Sequence, residues 1–101
     1  MSIYEVYYRK NETYQVDQHL KGSDIRLQKT HSLVAIKEGD KDTVFRAMQG
    51  EFMIAPTKSI LTALIKSGAT HHTSMSVGDV LLDCKTGAIY QCDTVGWVKV
   101  K

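Results

Sequence analysis

The chain has little of several features that would assign it to a familiar class. Its 101 residues include one proline and two cysteines, and no apolar run approaches the roughly 20 residues that cross a bilayer. We therefore expect no transmembrane helix. The seven glycines are dispersed, which excludes a glycine-rich phosphate loop. The net charge is only +2, so the chain lacks the concentration of positive charge that a dedicated duplex binder carries.

The composition is that of an ordered protein. Hydrophobic residues make up 43% and charged residues 24% of the chain, which is too apolar and too balanced for intrinsic disorder. No internal repeat and no Gly/Ser/Pro-rich linker interrupts the sequence, so we expect a single domain over residues 1–101. The first residues do not resemble a signal peptide, and we expect a cytoplasmic protein whose cysteines stay reduced.

The first third predicts two strands. Residues 3–9 are aromatic and β-branched, with Tyr4, Val6 and Tyr8 alternating with polar neighbours, and residues 32–37 form a short apolar run. Residues 10–30 are polar and weakly patterned. They predict a long loop with a possible short strand where Ile25 and Leu27 alternate with polar residues.

The middle third predicts two helices. Asp40 is placed to cap a helix over residues 41–49, whose apolar stripe includes Val44 and Met48, and Gly50 suits its end. A second helix begins near Pro56 and ends at Gly68, with one apolar side. Each helix is expected to cover a sheet.

The last third predicts a β-hairpin and a closing strand, at residues 80–84, 88–92 and 96–100. Helices that are segregated from antiparallel strands are typical of an α+β fold. We therefore expect a small antiparallel sheet of about five strands packed by two short helices.

The two cysteines, Cys84 and Cys92, lie on opposite sides of the turn of the predicted hairpin. A two-residue turn would place Cys84 opposite Ile89, and a three-residue loop would place it opposite Ala88. Neither register brings Cys84 to Cys92. Both are expected to be buried, unpaired thiols.

The segment from 71 to 79 concentrates polar side chains that could carry chemistry. It contains His71, His72, Thr73, Ser74, Ser76 and Asp79. A Ser–His–Asp triad is conceivable from these residue types, but no nucleophile elbow is present, and adjacent histidines seldom bind one metal. We expect no metal, no other cofactor and no catalytic residue. Asp79 is expected to accept backbone N–H bonds beside a turn at Gly78, and the segment is either a structural turn or a binding loop.

The aromatic residues suggest a second kind of site. Tyr7 shares its strand face with charged residues and is therefore expected to be exposed, and Trp97 shares its face of the last strand with Lys99. If Val98 faces the core, Trp97 faces solvent beside lysines, as in proteins that bind single-stranded nucleic acid. The other reading has Trp97 at the margin of the core under lysine stems.

The run His-Thr-Ser-Met-Ser-Val-Gly-Asp-Val at residues 72–80 resembles a family motif. Together with Tyr90, Cys92 and the pair Gly96–Trp97, it is similar to small accessory proteins of tailed bacteriophages, plasmids and other mobile elements, related to the YodL-like domain. The likeness covers about residues 31–100. It departs where Phe52–Pro56 replaces a Trp-Ser-Pro-like entry to the second helix. It implies a phage or mobile-element origin and action inside a bacterial cell.

Three hypotheses follow. The leading one is a non-enzymatic accessory protein that binds and modulates a host protein through the 71–79 segment, Tyr7 and Trp97. The alternative is a nucleic-acid-binding module that uses Trp97 with Lys85, Lys99 and Lys101. The third is a small hydrolase or metal protein around His72, Ser74, Ser76 and Asp79. The chain is expected to be a monomer or a homodimer.

Overall fold

The computed structural model describes residues 2–10, 25–49, 53–54, 56–70, 72–94 and 96–100. In chain order, its elements are β1 Ile3–Arg9, α1 Leu27–Thr30, β2 His31–Glu38, α2 Lys41–Ala47, α3 Thr57–Ser67, β3 Val80–Asp83, β4 Ile89–Asp93 and β5 Gly96–Lys99.

The five strands form one antiparallel sheet in the order β2-β1-β3-β4-β5. The α+β fold and the C-terminal hairpin with its closing strand are therefore confirmed. The described residues form three short helices where the sequence predicted two. None of the helices in the described ranges is long and apolar enough to span a membrane.

The main core lies between one face of the sheet and helices α2 and α3. Strand β1 contributes Tyr4, Val6 and Tyr8, all buried, as its alternation predicted. Leu81 of β3 packs in the same cluster. A smaller apolar cluster on Ile25, Val80 and Ile89 occupies the other face, so both faces of the sheet bury side chains.

Helix α2 begins as predicted. The Oδ1 atom of Asp40 accepts the backbone N–H of Thr43 at 2.7 Å, which satisfies one of the free donors at the helix start. Val44 and Met48 are buried in the main core. Gly50, the predicted stop, lies outside the described residues.

Helix α3 also has the predicted limits. It begins after Pro56 and ends at Gly68, whose φ of 83° is the left-handed conformation that glycine adopts without a Cβ penalty. Leu61 is buried in the core, whereas Ile60 and Ile65 on the same helix remain 41% and 36% exposed. The apolar side of α3 is therefore only partly covered by the sheet.

The possible strand near Ile25 is wrong. Residues 27–30 form one helical turn, α1, closed by the Thr30 N–H donating to the Arg26 carbonyl at 2.7 Å. The alternation of apolar and polar residues reflects burial and not a strand. Ile25 is buried, and Leu27 is half-buried, in the smaller apolar cluster. Residues 11–24 of the predicted loop lie outside the described part of the chain.

Both registers considered for the hairpin are wrong. Leu82 pairs with Ile89, and residues 84–88 connect the two strands. The Oδ1 atom of Asp83 accepts the Lys85 N–H at 2.9 Å, and this side-chain bond stabilises a wider turn than either register assumed. Cys84 is consequently exposed in the turn, contrary to expectation. Cys92 is buried as expected, and burial raises its pKa to about 11; both thiols are free.

The contrast between neighbouring residues of α3 gives the first prediction. Leu61→Ala should destabilise the protein by about 2–5 kcal/mol, because it removes a buried side chain and leaves a cavity. Ile60→Ala, one residue away and partly exposed, should cost clearly less. Urea denaturation of both variants measures the difference. Equal losses would show that α3 does not pack on the sheet through Leu61.

Candidate functional site

The 72–79 segment is organised around the buried carboxylate of Asp79. This side chain is fully buried, and its Oδ1 accepts the backbone N–H of Arg9 at 2.8 Å. Its Oδ2 accepts the backbone N–H of Ser76 and contacts Nε2 of His72, both at 2.8 Å. The prediction that Asp79 accepts backbone N–H bonds is confirmed.

Asp79 lies where the ladder between β1 and β3 ends. Tyr7 pairs with Val80, the first residue of β3. The next N–H of β1 that points towards β3 is that of Arg9, and it lies beyond the end of β3, so no carbonyl of that strand is opposite it. The Asp79 carboxylate takes the place of that carbonyl. The main chain of Asp79 still pairs with β4, because its carbonyl accepts the Cys92 N–H at 2.8 Å. One residue therefore joins β1, the loop and β4.

His72 is held on several sides. Its ring stacks on Tyr8 with centroids 4.8 Å apart and planes 10° from parallel. A carboxylate oxygen only accepts, so Nε2 carries the proton in the bond to Asp79. The other nitrogen, Nδ1, faces Oγ1 of Thr70 at 3.4 Å. Both ring nitrogens are engaged, and 14% of the side chain is exposed.

Tyr8 connects this loop to helix α2. Its hydroxyl group donates to the carbonyl of Thr73 at 2.8 Å and also lies 3.3 Å from the carbonyl of Met48, at the end of α2. The Met75 N–H donates to the same Met48 carbonyl at 3.1 Å. Burial, reinforced by the charge of Asp79, raises the pKa of Tyr8 well above its usual range. The phenol is therefore a permanent donor.

His31 supports the turn from beneath. It is buried at the start of β2, and its Nε2 lies 2.8 Å from the carbonyl of Gly78. Gly78 has a φ of 97°, and a Cβ there would lie 3.3 Å from Cδ of Arg9. Glycine is therefore required both by the predicted turn and by the buried arginine stem packed across it.

The serine and threonine side chains of the loop serve local structure or face solvent. Thr73 and Ser76 are exposed, and Ser74 is half-buried. The Ser76 hydroxyl group donates to the carbonyl of Ser74 at 2.9 Å. His72 and Asp79 thus meet as a triad would require, but the ring nitrogen opposite Asp79 faces Thr70. His71 lies outside the described residues.

Tyr7 lies apart from the contacts around Asp79. It packs half-buried against the smaller apolar cluster, and its hydroxyl group donates to Oε1 of Glu5 at 2.7 Å. Burial and the Glu5 carboxylate raise its pKa to about 12. The expectation of an exposed Tyr7 is therefore only partly met.

Trp97 lies at the margin of the main core. It is half-buried, and its ring meets Phe45 of α2 edge-on, with centroids 6.3 Å apart. Val98 is instead 45% exposed, so the reading in which Val98 faces inward and Trp97 faces solvent is wrong. Because both faces of the sheet are covered, alternation alone did not identify the core face. Lys99 is exposed, opposite Tyr90.

Sequence reasoning missed three residues that contact the 72–79 segment, namely Tyr8, His31 and Thr70. Two of the three are distant in sequence: Tyr8 lies 64 positions and His31 lies 41 positions before His72. The third, Thr70, lies just before the loop. Tyr8 was placed correctly on the buried face, but nothing in the sequence indicated that its hydroxyl group reaches the loop. Long-range partners of this kind follow from the sheet order.

No group of three metal-ligating side chains is positioned around a common point in the ranges given above. Comparisons of the chain with protein-family models, with curated proteins and with solved structures find no match. Function therefore has to be inferred from the geometry of the site.

The carboxylate of Asp79 gives the second prediction. Asp79→Ala should destabilise the fold by about 3 kcal/mol, because the buried Arg9 N–H loses its acceptor. Asp93→Ala is the matched control, since the exposed Asp93 carboxylate accepts bonds from the N–H and the hydroxyl group of the neighbouring Thr94. Its cost should stay below about 1 kcal/mol. Urea denaturation compares the two, and similar losses would contradict the role given to Asp79.

His31 gives a prediction about pH. Burial, opposed by the Gly78 carbonyl and Asp79 and reinforced by Arg9 and Lys10, lowers its pKa below the ordinary value of 6.5. Below pH 6.5 the unfolded chain binds a proton that the folded protein does not. The stability that neutral His31 contributes is complete above this pH and is lost as the pH falls.

The measurement is the difference in unfolding free energy between the wild type and His31→Gln from pH 8 to pH 5. We expect this difference to be constant above neutrality and to shrink, or reverse, towards pH 5. Using the difference cancels the titration of the other histidines. Parallel pH profiles for the two proteins would show that His31 titrates alike in the folded and unfolded states.

Proposed function

We propose that this chain is a non-enzymatic phage or mobile-element accessory protein that binds and modulates a host protein inside the bacterial cell. The observation that carries the proposal is the fixed loop at residues 72–79, whose buried side chains hold its backbone while Thr73, Ser76 and Val77 face solvent. We call these three side chains the loop surface.

The contacts that His72 and Asp79 make within the protein support a structural role for both residues, although both residue types can be catalytic. Both oxygens of Asp79 and both ring nitrogens of His72 already have partners within the protein. A general base needs a free lone pair within reach of the proton that it removes. The His72–Asp79 pair is better suited to holding the loop than to moving protons.

A loop held in this way is suited to recognition. Binding costs less conformational entropy when the contacting segment is already fixed, and recognition residues commonly lie on loops supported by a rigid scaffold. The loop surface combines two hydroxyl side chains with Val77, an apolar side chain that is 50% exposed. A protein interface is about as apolar as the rest of the surface, so a mixture of hydroxyl and apolar side chains is compatible with a contact surface.

The proposed origin has separate support. The motif that resembles the phage and mobile-element proteins is residues 72–80, the same segment that the Asp79 contacts organise. The resemblance supports the setting inside a bacterial host, and the partner's identity is left to experiment.

The test compares two matched valines. Val77→Ser removes the apolar side chain of the loop surface, and Val98→Ser removes a valine of similar exposure, 45%, on β5. Tagged wild type and both variants are used to capture proteins from cells of the natural host, after equal thermal stability has been verified. We expect one host protein to be recovered with the wild type and with Val98→Ser, and to be reduced at least fivefold with Val77→Ser, since burying a valine side chain is worth more than about 1 kcal/mol.

Recovery of the same background proteins by all three would contradict the proposal. The nucleic-acid alternative is tested on the same samples by titration with labelled single-stranded DNA. Binding that weakens steeply with salt would favour it, because phosphate contacts release counterions. Lys85→Glu and Lys99→Glu should then reduce affinity, whereas Val77→Ser should not.

A further inference from the structure

Within the described residues, strand β2 forms one edge of the sheet and is paired only with β1. Two contacts at the end of the strand show which residues of β1 bond to β2 and which bond to β3. The Gly39 N–H donates to the Ser2 carbonyl, and the Cys84 N–H donates to the Ile3 carbonyl, each at 2.9 Å. Even-numbered residues at this end of β1 therefore bond to β2, and odd-numbered ones bond to β3.

Residues of β2 opposite the odd-numbered positions direct their backbone groups outward. Ile36 lies opposite Glu5, and Glu38 lies opposite Ile3. Their N–H and C=O groups point away from β1, at a spacing of two residues. This spacing is the one at which a further strand pairs with a sheet edge.

An open apolar groove runs along this edge. It lies between β2 and the start of α3, with a volume of about 380 Å³, and we call it the edge groove. Of the described residues that line it, six are apolar and one is charged: Leu33, Val34, Ala35, Ile36, Lys37, Pro56, Thr57 and Ile60. Leu33, Ile36 and Ile60 are 46%, 62% and 41% exposed. Natural edges are more often protected by charge or proline.

The one charged side chain among the described residues that line the groove is the cation of Lys37. Lys37 lies opposite Tyr4, whose side chain is on the helix face, so Lys37 is on the same face as α3. The eleven-residue helix α3 presents its N-terminal end here and has no acidic residue in its first turn. Glu38 alternates to the other face of the sheet. A ligand with a negative group at this end is therefore complementary.

A register shift at Val6/Tyr7 selects between possible occupants. One residue of β2 is unpaired there, so the edge is not a long regular strand. Such bulges oppose edge-to-edge pairing of identical long strands. The regular run after the shift, residues 35–38, is long enough for a short peptide segment.

We propose that the edge groove binds an extended peptide segment of a partner protein, which adds to β2 as a sixth strand. Alternate side chains of the peptide pack on Pro56 and Ile60 on the helix face and on Ile36 on the other. An acidic side chain of the peptide lies beside Lys37 and the start of α3. This mode of recognition uses main-chain bonds for affinity and alternate side chains for specificity. It goes beyond the loop proposal and shares no residue with the loop surface.

The experiment uses defined probes and the full chain. Two fluorescein-labelled heptapeptides alternate threonine with valine. One carries glutamate at its N-terminal end and the other carries it at its C-terminal end, and two matched peptides carry lysine in place of the glutamate. Fluorescence anisotropy should show binding of one glutamate peptide and about fivefold weaker binding of its lysine counterpart, the size expected for one exposed charge pair. Methylation of alternate peptide amides should abolish binding, because it removes strand hydrogen bonds without altering the protein.

Lys37→Glu should invert the preference between the glutamate and lysine peptides, and Lys85→Glu, in the exposed hairpin turn, should leave it unchanged. The proposal is overturned if no peptide binds, if the methylated peptide binds equally well, or if sedimentation shows a dimer that Ile36→Lys dissociates, which would make a second copy the occupant. Each of these outcomes leaves the Val77 experiment intact, so failure here is distinguishable from failure of the loop proposal.

Discussion

The carboxylate of Asp79 is the contact on which the rest of the site depends. A buried carboxylate is stable only when its oxygens are bonded, and here they bond to Arg9 of β1, to Ser76 within the loop and to His72. Ser76 and His72 belong to the loop itself, whereas Arg9 is 70 residues away in the sequence and reaches Asp79 because β1 pairs with β3. The sheet therefore creates the loop, and the loop in turn completes the hydrogen bonding of the sheet where β3 begins.

The two halves of the molecule are fixed to different degrees. The β3–β4 side carries the Asp79 contacts, and Tyr8 extends them to the end of α2. On the β2 side, the outer edge of the strand is unpaired within the described residues, and α3 leaves Ile60 and Ile65 partly exposed. A protein that recognises a partner can use both kinds of surface, a preformed loop for shape and an open edge for main-chain pairing.

Much of the fold was predictable because local signals agreed with the tertiary structure. Asp40, Pro56 and Gly68 marked the helix limits, and the alternation of Tyr4, Val6 and Tyr8 identified a buried strand face. The turn role of Asp79 followed from its position after Gly78. Trp97 and the hairpin register were not predictable in the same way. Alternation fails to identify the inner face when both faces are covered, and the Asp83 side chain lengthened a turn whose sequence suited a shorter one. His31 gave no signal because its partner, Gly78, is 47 residues away.

Amide hydrogen exchange in the wild-type protein tests the central role of Asp79 most directly. Ser76 is exposed, yet its N–H bonds to a buried carboxylate, whereas the Thr94 N–H bonds to the exposed carboxylate of Asp93. The account predicts that the Ser76 and Arg9 amides exchange slowly, with protection close to that of the β1 core, and that the Thr94 amide exchanges rapidly. Equally rapid exchange at Ser76 and Thr94 would show that Asp79 does not hold the loop.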